Sequence, residues 1–130
     1  MNLSDKKYTK GILTGQEGKQ VYLNPVERTL YRLFKAHPEG IKANDLLLHW
    51  KELCIIYADE ALYDEPSLRE ARMESLCAES KTVFYANISR IKHKFISAFG
   101  YSTARKFFIR KNDKGVYRIP TSKSGKLLIQ

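Results

Sequence analysis

Cysteine is scarce in this chain of 130 residues. Cys54 and Cys77 stand apart, and two such residues make neither a zinc pattern nor a disulfide framework. Long apolar runs are missing as well. None approaches the roughly 18 residues that a membrane-crossing helix needs. The opening stretch, MNLSDKKYTKG, lacks the apolar core of a signal peptide, so a cytoplasmic location is expected. There is no Gly-rich phosphate loop, no His/Cys/carboxylate cluster at ligand spacing and no Ser-His-Asp arrangement in recognisable context. The expectation is a binding protein and not an enzyme, with no catalytic residue, no metal ligand and no cofactor. Internal repeats and low-complexity segments are also lacking. The length fits one domain, assigned to residues 1–120, followed by a flexible tail at 121–130.

What the chain does have is positive charge, unevenly placed. Lys and Arg number 23 against 14 Asp and Glu, a net charge of +9, while 43% hydrophobic residues suffice for a packed core. Between Glu52 and Glu79 there are eight acids and two bases; from Lys81 to the end there are twelve bases and the single acid Asp113. Ordinary soluble surfaces interleave the two signs. Segregation of this kind points to a polarised surface with a polyanionic partner.

The local patterns predict an α+β fold. Tyr8, Ile12 and Leu13, then Val21, Tyr22 and Leu23, flank Gly15–Gly18 and suggest a short hairpin. Asn24, Pro25 and Glu27 form a capping box opening a first helix whose apolar face is Val26, Leu30, Leu33 and Phe34, ended by His37–Gly40. Ile41 is a candidate extended residue. Asn44 is placed to cap a second helix carrying Leu46, Leu47, Trp50, Leu53, Cys54 and Tyr57. In the acidic segment at 52–79, Ser67 and Glu70 suggest a further capping box for a helix through Leu68, Met73 and Leu76. A long helix over 81–99 carries the stripe Phe84, Ile88, Ile91 and Phe95 and closes at Gly100. Residues 107–111 and 116–119 then read as two strands around Asn112–Gly115, a hairpin with a basic tip, stopped by Pro120.

Three or four helices followed by a basic hairpin is the order of a winged helix-turn-helix, in which one helix enters a DNA major groove and the hairpin lies on the backbone or the next minor groove. Four segments carry a resemblance to a family. Residues 23–33 (LNPVERTLYRL) resemble the "LTPxExxLLxxL" opening of the first helix, and 84–95 (FYANISRIKHKF) the recognition helix, of the winged-helix output domains of OmpR-type response regulators and related transcription activators. Residues 108–119 (FIRKNDKGVYRI) are similar to that family's wing, and Asn44-Asp45-Leu46-Leu47 with Trp50 to its second helix. The resemblance implies a small transcriptional regulator that binds double-stranded DNA. The segment between the second and the recognition helix is longer than the family's loop there.

At 100° per residue, the side of 81–99 opposite the apolar stripe holds Thr82, Ala86, Ser89, Arg90 and His93, flanked by Tyr85 and Lys92 on one edge and Asn87 and Lys94 on the other. Arg90 is the candidate base reader, since its fork can donate to guanine O6 and N7; a phosphate contact or a solvated arginine are the other readings. Asn87 or Ser89 could meet adenine or a phosphate, and Tyr85 a thymine methyl or a sugar. Lys81, Lys92 and Lys94 are candidate phosphate anchors, and His93 a backbone contact. In the hairpin, Arg110, Lys111, Lys114 and Arg118 are candidates for the backbone or minor groove, whereas Asn112 and Asp113 serve the turn. The acidic segment is expected to project away from DNA, as a dimer contact, a protein-partner site, a mask or a plain surface elaboration. The alternative function is a winged-helix protein–protein module acting through residues 52–79 or through the basic face.

Overall fold

The computed structural model describes residues 12–13 and 20–120. Strand β1 (Ile12–Leu13) pairs antiparallel with β2 (Gln20–Val21), Ile12 opposite Val21. The hairpin expected there is thus present; its turn at Gly15–Gly18, residue Tyr8 and the tail at 121–130 lie outside the described residues.

Helix α1 (Pro25–Ala36) starts as its residues dictate. Asn24 Oδ1 accepts the Glu27 amide and Glu27 Oε1 accepts the Asn24 amide, both at 2.9 Å. Two orphan donors of the first turn are satisfied reciprocally. Asn24→Ala is expected to lower the unfolding free energy by about 1 kcal/mol, read as a shift in the urea midpoint at unchanged slope. Leu30, Leu33 and Phe34 are buried and Val26 packs against them.

The chain leaves α1 through His37 and reverses at Gly40, whose φ is +94°. A β-carbon at Gly40 would press into Val116 Cγ1 and lie 2.7 Å from the Tyr117 carbonyl oxygen, so both the conformation and the space demand glycine. Strand β3 (Ile41–Lys42) follows, where Ile41 was expected to be extended.

The second helix departs from expectation at its start. Ala43–His49 is a tight 3₁₀ segment with Asn44 inside it and no side-chain cap; helix α2 (Trp50–Glu60) continues from its end. In the tighter winding only Leu46 of the three leucines reaches the core, and Leu47 and Leu48 are exposed. Helix α3 (Pro66–Leu76) begins two residues earlier than its Ser67–Glu70 pair suggests, because Pro66 takes the first helical position. Its Glu65 cap makes no side-chain bond, and Leu68 is exposed.

Helix α4 (Thr82–Phe99) ends at Gly100 as expected. A short helix, α5 (Tyr101–Ala104), follows without having been foreseen. The terminal hairpin is shorter than its apolar run: β4 is Arg110–Lys111 and β5 is Val116–Arg118. Phe107, Phe108 and Ile109 are not strand. The amides of Phe107 and Phe108 turn back to the Ala104 carbonyl, which sends Phe108 and Ile109 into the core. The sheet is antiparallel in the order β3-β5-β4, with Ile41 opposite Tyr117 and Lys111 opposite Tyr117 on the other side. Among the described residues the fold is therefore α+β, with five α-helices, a small three-stranded sheet and the separate β1–β2 pair.

The acidic segment does not stand apart from the body. Leu53, Tyr57, Met73 and Leu76 are fully buried, and α2 packs on α1 while α3 packs on both α2 and α4. Charge pairing explains why acids are tolerated there. Arg28 Nε donates to Glu60 Oε1 at 2.6 Å, and Arg32 Nη1 donates to Glu60 Oε2 at 2.8 Å and to Asp59 at 2.9 Å. The arginines of α1 thus hold part of the negative segment against the body.

Candidate nucleic-acid interface

Helix α4 presents two faces set by its periodicity. Phe84, Ile91 and Phe95 are fully buried and Ile88 is partly so. Tyr31 of α1 stacks on Phe95 with ring centres 5.4 Å apart and donates its hydroxyl to the Phe107 carbonyl at 2.7 Å. Tyr85, Ser89, Lys92 and His93 point outward and are exposed. One edge of this outward band meets the terminal hairpin. Phe84 contacts Tyr117 edge-on at 5.2 Å, and the Lys92 ammonium lies 5.8 Å from the centre of the Phe108 ring, within cation–π range. Burial, and then the neighbouring Tyr85, push the Tyr117 phenol upward from its ordinary pKa, which keeps it neutral. Helix α4 thus meets the hairpin through Phe84 and Tyr117, and Lys92 lies over Phe108 in the segment that leads into β4.

At the hairpin tip Lys111 and Lys114 are exposed. Asn112 Oδ1 accepts the amides of Lys114 at 2.8 Å and Val116 at 3.0 Å, and Gly115 takes a φ of +80°, so the turn is built as its residues suggest. Arg105 and Lys106 lie exposed just upstream. Arg110 is half-buried, with Nη1 3.4 Å from the Arg105 carbonyl. Arg118 turns back into the fold: its Nε donates to the Pro38 carbonyl at 3.4 Å, so it braces the hairpin root against the turn after α1.

The other edge of α4 is organised by Glu27. Its side chain is fully buried, with Oε1 accepting Lys94 Nζ at 2.6 Å and Oε2 accepting Arg90 Nε at 3.3 Å. One carboxylate therefore caps α1 and tethers two cations of α4. Arg90 remains 53% exposed; with Nε held, the two Nη groups at the tip of the fork are the donors left for a ligand. Arg90 also lines a cleft of about 290 Å³ with Asn24, Arg72, Ser75 and Asn87. His93 and Lys94 border a second, open cleft of about 380 Å³ against β2.

Two candidate contacts are corrected by burial. Asn87 is only 2% exposed and donates Nδ2 to the Val83 carbonyl at 2.9 Å. It sits on the flank that α1 and α3 cover, so it faces the fold and not a groove. Lys81 is buried in the turn between α3 and α4 with a left-handed φ of 62°, its ammonium 3.5 Å from the Cys77 carbonyl. Neither is placed to anchor a phosphate.

No protein-family model, curated protein or solved structure matches this chain. The site is therefore characterised by its own chemistry. No helix among the described residues is long and apolar enough to cross a membrane. Burial raises the thiol pKa of Cys54 and of Cys77, so both stay protonated as small apolar side chains.

Two features escaped the sequence. The second task of Glu27 had no signal, since the same residue is fully accounted for by the capping box. The grouping of His37, His49 and Glu52 is the other: their donor atoms lie within 4.8 Å of one another. Only the three-residue spacing of His49 and Glu52 was visible, and His37 arrives by the fold.

Proposed function

We propose that this chain is a winged-helix domain that binds double-stranded DNA as a small transcriptional regulator, with α4 in the major groove and the β4–β5 hairpin on the backbone or the adjacent minor groove. The observation that carries this reading is the joint between α4 and the hairpin. There Phe84 packs on Tyr117 of the hairpin, Lys92 lies over Phe108 just before β4, and the hairpin tip exposes Lys111 and Lys114. The sheet order β3-β5-β4, with the central strand taken from the hairpin and the edge strand from between α1 and α2, supports it. So does the concentration of twelve bases against one acid after residue 80.

In this reading Lys92, Lys111 and Lys114, with Arg105 and Lys106, track phosphates. Tyr85, Ser89 and His93 face the groove, and Arg90, oriented by Glu27, reaches a base from the edge of the band. Electrophoretic mobility shift against random duplex pools at several salt concentrations tests it. Binding that strengthens as salt falls is expected. Salt-independent binding, or none at 50 mM salt, would falsify it. Arg90→Ala is expected to relax base preference by about 1–3 kcal/mol at one position, measured by sequencing the bound pool, while Asn87→Ala and Lys81→Ala leave that preference unchanged.

A protein–protein role is favoured by one observation. Leu48 at 80% and Ile55 at 72% are the most exposed large apolar side chains among the described residues, and they lie on the 3₁₀ segment and α2, not on α4 or the hairpin. Partners that survive nuclease treatment, and are lost with Ile55→Glu, would support that reading in place of the first.

A further inference from the structure

We propose that His37, His49 and Glu52 form a binding site for a divalent transition-metal ion of the zinc type, clipping the end of α1 to the start of α2. Two imidazole nitrogens and a carboxylate oxygen are a donor set that such an ion takes, with a fourth position left for water. The placement fits. His37 Nε2 lies 2.8 Å from Glu52 Oε1, and His49 Nδ1 lies 3.6 Å from the same oxygen. With bonds of about 2.0–2.2 Å, neighbouring ligands of a tetrahedral ion stand roughly 3.3–3.5 Å apart, and the three donors here lie within 4.8 Å of one another, so side-chain shifts of roughly 1 Å bring them to bonding distance. The two rings are already held together, with centres 4.6 Å apart and planes at 69°.

The outer contacts fit as well. His37 Nδ1 faces Glu39 Oε2 at 3.2 Å. A carboxylate on the far ring nitrogen fixes the tautomer that leaves Nε2 free to ligate, the arrangement commonly seen behind metal-bound histidine. All three donors are partly covered, with side-chain exposures of 22%, 24% and 39%. An ion can enter, yet the ligands are not loose surface groups. His49 and Glu52 are three residues apart across the 3₁₀–α2 junction, which places them on one side of the helix, and His37 closes the site from the turn after α1. Glu27, with Arg90 paired to it, sits at the opposite end of α1, about 15 Å away along its axis, so the site is separate from that pair, whereas the hairpin root reaches the same turn through Arg118 and Pro38.

The test uses the full chain stripped with a chelator and titrated with zinc chloride, followed by calorimetry and by thermal unfolding. One ion per chain is expected, with a rise in the unfolding midpoint of roughly 5 °C or more when free zinc is about 100 times Kd. Cobalt(II) substituted at the site should give visible d–d bands and no thiolate charge-transfer band. His49→Ala and Glu52→Gln are each expected to weaken zinc binding by about 100-fold or more, whereas His93→Ala leaves it unchanged. Glu52→Gln preserves the shape of the side chain, so a folding failure in the alanine variant leaves the test intact. Absence of saturable binding overturns the proposal. So does binding that both variants retain, or a thiolate band pointing to Cys54 or Cys77.

Discussion

A variant with Lys92, Lys111 and Lys114 all changed to alanine is expected to bind every duplex about 10³-fold more weakly than the native chain at 50 mM salt, and about 25-fold more weakly at 200 mM. The difference between those figures is the informative quantity. Each phosphate neutralised contributes about −0.9 to the slope of log K against log salt, so removing three contacts flattens the slope by roughly 2.7. Between the two salt concentrations the variant should therefore lose about 40-fold less affinity than the native chain. The placement of the three lysines carries this expectation. Lys92 lies over Phe108 in the segment leading into the hairpin, and Lys111 precedes and Lys114 sits in a turn that Asn112 and Gly115 build independently of the lysine side chains. All three are exposed, so alanine leaves no hole in the core and the unfolding midpoint should hardly move. An unchanged slope in a folded variant excludes these lysines as a phosphate-binding surface.

The largest effect on stability is expected from Glu60→Ala, which should lower the unfolding free energy by about 3–5 kcal/mol. Glu60 is 8% exposed and holds Arg28, itself 5% exposed, at 2.6 Å. Removing the carboxylate takes from the buried Arg28 guanidinium the counter-charge that Glu60 supplies. Urea unfolding of the variant measures the loss. A paired replacement, Arg28→Met with Glu60→Leu, distinguishes the cause: it removes both charges, keeps apolar volume, and should recover most of the stability. If the double variant is as unstable as the single one, shape and not charge accounts for the loss. The pair matters beyond its energy because it fastens α2, and through it the acidic segment, to α1.

Much of the architecture was legible locally. The capping box at Asn24–Glu27, the stripe Phe84, Ile91 and Phe95, the stop at Gly100 and the Asn112–Gly115 turn each depend on residues within one or two turns of each other, and each is present. The misreadings lie where packing or a neighbouring residue overrode the local pattern. Phe107, Phe108 and Ile109 have strand composition, yet the preceding turn at Tyr101–Ala104 bends them into the core, because burial of two apolar side chains outweighs strand propensity. The start of α2 tightened into a 3₁₀ segment, and Pro66 displaced the cap of α3.

The candidate site divides along the same line. Sequence alone determined that the chain carries a basic C-terminal half, a helix with one apolar face, and a hairpin with a basic tip. Those are properties of composition and period, which need no partner. Only the tertiary structure decided which polar groups on that helix are available. A helical wheel places Asn87 and Lys94 together on one flank, but what covers the flank is supplied by α1 and α3 from far along the chain. Their arrival buries Asn87, brings Glu27 to Arg90 and Lys94, and draws Arg118 back to Pro38. The same long-range packing assembled His37 with His49 and Glu52, and it set the acidic segment against the body, with Leu53, Tyr57, Met73 and Leu76 in the core and Glu60 paired to Arg28 and Arg32. Periodicity sets which way a side chain points; what it meets there depends on segments tens of residues distant.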